Sequence, residues 1–125
     1  MRLLLDTQIY LWFLADSKKL SKAARLVLAR ADEIYVSAAS VWEAAIKIGT
    51  GKLSGSVNDL VAGIAESGFK ELPVSAAHAA AVANLRDRHR DPFDRLLLAQ
   101  AITEPLRLVT ADDTLASYTD QIISV

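Results

Sequence analysis

Four acidic side chains, Asp6, Glu43, Asp94 and Asp112, offer the most chemistry in this sequence. The chain has no cysteine and two histidines, which excludes thiolate catalysis, disulfides, zinc–thiolate centres and His-rich metal sites. A metal ion held here must sit mainly on oxygen, and oxygen ligands favour Mg²⁺, Mn²⁺ or Ca²⁺. Asp6 most needs a partner. It closes the apolar run Leu3-Leu4-Leu5 and precedes Thr7-Gln8-Ile9-Tyr10-Leu11, and a buried, unpaired carboxylate in such surroundings is costly. The other three also fit plain structural roles. Ser40-Val41-Trp42-Glu43 has the form of a capping box, Asp91-Pro92-Phe93-Asp94 that of an acidic cap with proline at the first helical position, and Thr110-Ala111-Asp112-Asp113 repeats it. In the last of these Asp113 already fills the box position, so Asp112 is left over. Glu43 and Lys47, one turn apart, suit a surface ion pair worth about 0.3–0.5 kcal/mol.

Short apolar runs alternating with helical segments must position these acids. Leu3 to Leu5, Ile34 to Val36, Phe69 to Leu72, Leu106 to Val109 and Ile122 to Val125 read as strands. Helices are expected over Ile9–Leu14, Ser21–Ala31, Val41–Gly49, Val57–Glu66, Ser75–Arg86, Phe93–Glu104 and, briefly, Asp113–Tyr118. The segment from Arg86 to Pro92 reads as a charged loop. Such alternation implies an α/β fold with a parallel sheet covered by helices on both faces. Ligands of such sheets bind beyond the carboxyl ends of the strands. Asp6 ends the first strand, Glu43 lies in the first turn of the helix after the second, and Asp112 follows the fourth. Asp94 begins the helix that leads into the fourth strand, whose start lies at the opposite edge, so a side chain reaching across is assumed for it. Trp12 and Trp42 fall on apolar faces and are expected in the core, His78 half-buried, and His89 in solvent.

The 125 residues fit one domain, 1–125, long enough to bury a core without cross-links. No apolar run is long enough to span a bilayer. The opening apolar stretch is short for a signal peptide and is broken by Asp6, so a cytoplasmic protein is expected. The net charge of −1 argues against a large nucleic-acid footprint. A local grip remains open: Arg86, Arg88, Arg90 and Arg95 form the one dense basic cluster, by default a solvated face, alternatively a phosphate grip beside Asp94.

The segments Leu3-Leu4-Leu5-Asp6-Thr7, Ser40-Val41-Trp42-Glu43-Ala44-Ala45-Ile46-Lys47, Asp91-Pro92-Phe93-Asp94-Arg95-Leu96-Leu97-Leu98-Ala99-Gln100-Ala101 and Val109-Thr110-Ala111-Asp112 resemble the PIN-domain ribonucleases. Among these they look most like the VapC-type toxins of bacterial toxin–antitoxin pairs. The resemblance covers almost the whole chain. It implies a three-layer sandwich, a parallel sheet of about five strands between helices, and a homodimer. It also implies an Mg²⁺- or Mn²⁺-dependent endoribonuclease, RNA as substrate, and a cognate antitoxin as partner. Residue by residue, it makes Asp6, Glu43, Asp94 and Asp112 the catalytic and metal-binding acids, with Asp6 and Asp94 as principal ligands. Thr7, Thr110, Asp91 and Asp113 become supporting groups. Apart from the resemblance, Lys47 joins the arginines as a candidate phosphate contact. Gln8 stands where many members of the family carry histidine.

A nuclease of RNA maturation and a non-catalytic module with the same fold remain alternatives. Two other parallel-sheet readings fail on the sequence. A haloacid-dehalogenase-type phosphatase wants an acid two residues after Asp6, where Gln8 stands, and a receiver domain wants an acidic pair there and a lysine after its last strand.

Overall fold

Leu3, Leu4 and Leu5 are all fully buried, because their strand lies at the centre of a sheet covered on both faces. The computed structural model describes residues 1–86 and 91–125; the expectations for Arg88, His89 and Arg90 lie outside them. The elements run β1 (Arg2–Leu5), α1 (Thr7–Leu14), α2 (Lys22–Arg30), β2 (Glu33–Ser37), α3 (Ala38–Gly49), α4 (Val57–Glu66), β3 (Lys70–Leu72), α5 (Ala76–Ala81), α6 (Pro92–Thr103), β4 (Arg107–Thr110) and β5 (Ile122–Ser124), with a 3₁₀ turn over Val82–Asn84. The five strands are parallel, in the order β3-β2-β1-β4-β5, with Leu4 of β1 level with Tyr35 of β2 and Leu108 of β4.

Alternation along each strand divides the core in two. Leu3, Leu5, Ile34, Val36 and Val109 pack against Ile9 and Tyr10 of α1, Ala24 and Leu28 of α2 and Ile64 of α4. Leu4 and Leu108 face the other way, onto Leu97, Leu98 and Ala101 of α6 and onto Leu115. The three-layer α/β architecture expected from the sequence is therefore the observed one. Gly63 lets α4 approach α1 closely: a Cβ there would come within 3.0 Å of both the Tyr10 hydroxyl and a Leu14 methyl. The Tyr10 hydroxyl donates to the Leu60 carbonyl at 2.6 Å, and burial, with Glu66 nearby, pushes its pKa up to about 12.

Three elements differ from expectation. α3 starts at Ala38, capped by Ser37, whose Oγ accepts from the Ala39 N–H. Ser40 is therefore inside the helix, and the capping box read at Ser40–Glu43 does not form. α5 stops at Ala81 and gives way to the 3₁₀ turn, where the Arg95 guanidinium binds the Val82 carbonyl. Residues 113–118 form turns rather than a helix. Their backbone bonds close over three residues, as from Leu115 N–H to Asp112 O, and the Asp112 side chain holds the first turn through the Thr114 N–H and hydroxyl.

His78 is fully buried rather than half-buried, with Nδ1 accepting from the Ser75 N–H and Nε2 against Glu104. Trp42 is 60% exposed, not core, and Trp12 is half-buried. No described helix is long and apolar enough to cross a membrane.

Candidate functional site

The strand order reverses beside β1: the chain steps outward to β2 and β3, then returns to place β4 on the other side. The carboxyl edge at such a point is open to a ligand. Asp6 and Thr110 meet there. The Asp6 N–H donates to the Val109 carbonyl, extending the β1–β4 ladder by one bond, and the Thr110 hydroxyl donates to Asp6 Oδ2 at 2.6 Å. Asp6 occupies the cap position of α1, yet its side chain makes no capping bond. It is 8% exposed. Burial pushes its pKa above the ordinary carboxylate value, and Glu43 and Asp112 add a smaller push. The Thr110 hydroxyl and the Thr7 backbone N–H pull the other way.

Glu43 reaches the same place from the second turn of α3. The Thr7 hydroxyl donates to Ser40 Oγ at 2.8 Å, a buried bond that locks the start of α1 to the turn of α3 preceding Glu43. Thr7 thus engages Ser40, a residue the sequence reading assigned only to a cap. Glu43 Oε2 takes the Lys47 ammonium at 3.1 Å. Its Oε1 is buried and meets no hydrogen-bond donor among the described residues.

Asp94 joins without reaching across the sheet. A helix between two parallel strands runs back against them, so α6 begins at the carboxyl edge and only its end approaches the start of β4. Asp91 caps α6, accepting from the N–H groups of Phe93 and Asp94. Asp6, Glu43, Asp91, Asp94 and Asp112 then line one cleft of about 290 Å³, with Thr7, Gln8, Trp12 and Lys47. Asp112 lines it while also holding the turn after β4, its N–H donating to Thr110 Oγ.

Asp113 is exposed and does not line the cleft. Neither do Arg86 and Arg95. The Arg86 guanidinium donates to the Ser117 and Tyr118 carbonyls, and that of Arg95 to the Arg86 and Val82 carbonyls. Lys47 is the one cation lining the cleft among the described residues.

An oxygen-only donor set, a buried carboxylate under like-charge pressure and an orphaned glutamate oxygen together fit a hard divalent cation such as Mg²⁺ or Mn²⁺. Among the described residues, no three histidine, aspartate or glutamate side chains already stand close enough to form a complete metal group.

A family model described as PIN domain matches residues 3–120. Ribonuclease VapC22 of Mycobacterium tuberculosis is 33% identical over 117 residues, covering 92% of this chain and 90% of that protein. The structure of VapBC2 from Rickettsia felis bound to a promoter DNA fragment superposes with a TM-score of 0.68 at 20% identity, over 100% of this chain and 98% of the other. That of Mycobacterium tuberculosis VapC20, described as a sarcin-ricin loop cleaving toxin, gives 0.67 at 13% identity over 94% and 97%.

Proposed function

The chain belongs to the PIN-domain family, and on that premise we propose that it is a VapC-type endoribonuclease dependent on Mg²⁺ or Mn²⁺, the toxin of a cytoplasmic toxin–antitoxin pair. The observation that carries this reading is the cleft itself. Asp6, Glu43, Asp94 and Asp112 converge on it from four elements, and the Asp6 carboxyl is pushed up by burial and by its neighbours. Asp6 and Asp94 act as principal ligands, with Glu43 and Asp112 ligating directly or through water. A bound divalent ion supplies Lewis-acid activation of water and neutralises charge developing on the phosphate. The chain's own groups prepare that step. Thr110 orients Asp6, the Thr7–Ser40 bond aims α3 so that Glu43 faces the cleft, and Asp91 fixes the first turn of α6 beneath Asp94. Lys47 balances Glu43 and stands ready for a substrate phosphate.

A protein antitoxin is the proposed partner, in keeping with the VapBC complex among the structural relatives. A homodimer is proposed through the exposed face of Trp42. There an apolar groove of about 480 Å³ runs on to Ala79, Val82 and Leu96, and exposed apolar patches of this kind mark association surfaces.

Incubation of the purified chain with total RNA and Mn²⁺ tests the activity. Discrete fragments are expected, absent with EDTA and absent for Asp6→Asn. No cleavage by the unaltered chain would favour a binding module on the same fold.

A further inference from the structure

A second groove, of about 350 Å³, opens from the acid cleft and shares Glu43, Lys47 and Asp91 with it. Its remaining walls are Ile46, Thr50, Lys52, Pro92 and Phe93. The end of α3 explains why Lys52 stands there. Gly51, at φ 78°, turns the chain back, and the N–H groups of Lys52 and Leu53 both donate to the Lys47 carbonyl, at 2.8 and 3.1 Å. A residue with a Cβ is strained in that backbone conformation. Lys52 is thereby returned to the last turn of the helix, close to Lys47. The two lysines differ in their partners. Lys47 is engaged by Glu43, whereas exposed Lys52 makes no ion pair among the described residues. Ile46 and Phe93 supply an apolar wall, and the Phe93 ring is braced edge-on against Trp42, centroids 4.9 Å apart.

We propose that this groove holds the nucleotide adjoining the scissile phosphate of a single-stranded RNA, with its phosphate at Lys52 and its base against Phe93. The inference rests on the nuclease reading above. A strand laid across the acids runs directly into the groove, where an ammonium and an aromatic ring match the two halves of a nucleotide. An unstacked base can lie against the Phe93 ring, and a base held in a duplex cannot.

The test is titration of a fluorescein-labelled oligouridylate of about eight nucleotides into the full chain in EDTA, at a series of salt concentrations. Lys52→Ala is expected to weaken binding about three- to tenfold and to reduce the log–log salt slope by about 0.7, the value of one phosphate contact on a single strand. Phe93→Leu keeps an apolar side chain against Trp42; it is expected to weaken binding about tenfold and leave the slope unchanged. With Mn²⁺ present, the loss of kcat/KM in Lys52→Ala should fall on KM. Unchanged affinity and slope in Lys52→Ala, or no binding by the unaltered chain, would overturn the groove assignment. Cleavage that persists alongside either result leaves the nuclease reading standing, whereas absence of cleavage by the unaltered chain overturns that reading instead.

Discussion

The two ends of this sheet treat acidic residues in opposite ways. At the amino ends, Glu33 of β2 lies in register with Arg2 of β1 and bonds it at 3.1 Å. Lys70 of β3 takes the other oxygen, and Lys70 first, then Arg2, holds the Glu33 carboxyl below its ordinary pKa. Asp32 is held down in the same way by the chain's amino terminus. At the carboxyl ends, Asp6 is buried and pushed up, and Glu43 has one lysine and, among the described residues, one oxygen without a donor. The exposed end uses each acid to join strands or the chain's start. The buried end gathers carboxylates around Asp6, where Glu43 and Asp112 add to the push on its pKa. Clustered carboxylates of this sort destabilise the free protein and are relieved by a bound cation.

The largest break in this contrast should come from removing the charge at the buried end. Asp6→Asn and Asp94→Asn are each expected to lower Mn²⁺-dependent RNA cleavage by on the order of 10³-fold or more, with the circular dichroism spectrum retained. Thr110→Val takes away the hydroxyl that holds Asp6 Oδ2 and leaves a buried carboxylate with one donor fewer. A loss of about 1.5–3 kcal/mol in urea unfolding at neutral pH is expected, the scale of a hydrogen bond to a charged group.

The third effect has the opposite sign. Asp6→Asn should stabilise the metal-free protein by about 0.5–2 kcal/mol, the usual trade at a strained functional site. Linkage fixes its pH dependence. The folded pKa of Asp6 lies above the unfolded one, so between the two the native state binds more protons and stability falls as pH rises. The cost is fully present above the folded pKa and disappears as pH drops through it toward the unfolded value. The advantage of Asp6→Asn should shrink over that window, measured by urea unfolding in EDTA. An advantage independent of pH would mean that charge is not its source. The smallest effect belongs to the other end: Glu33→Gln should leave cleavage unchanged and weaken only the exposed strand starts, as read by the melting temperature.

Much of the fold was legible in the sequence because burial on both faces makes its strands continuous apolar runs. Asp6 was legible for the same reason, since an acid in that setting has no bland explanation. Glu43 was harder. Ser37 and Ser40 are both good caps, and the spacing from Ser40 to Glu43 imitates a capping box. The cap at Ser37 and the bond from Thr7, distant in sequence, place Ser40 inside the helix. Asp94 was misplaced at the wrong edge because the sequence reading followed the strand that α6 enters rather than the direction the helix must run. Asp112 looked surplus to capping, yet it holds the turn after β4. The arginines were legible as charge but not as contacts, because backbone carbonyls leave no trace in a sequence pattern. Arg86 and Arg95 turn to such carbonyls, and the lysines at the end of α3 flank the groove instead.

Calorimetric titration of Mn²⁺ into the purified chain, alongside Asp6→Asn, tests the role of the acid cleft most directly. The ligating carboxyls must be ionised, so saturable binding is expected near neutral pH. It should weaken on acidification at a higher pH than an ordinary aspartate would require, and be lost in the variant. No saturable binding by the unaltered chain, or equal affinity in Asp6→Asn, would contradict the assignment of these acids to a metal ion.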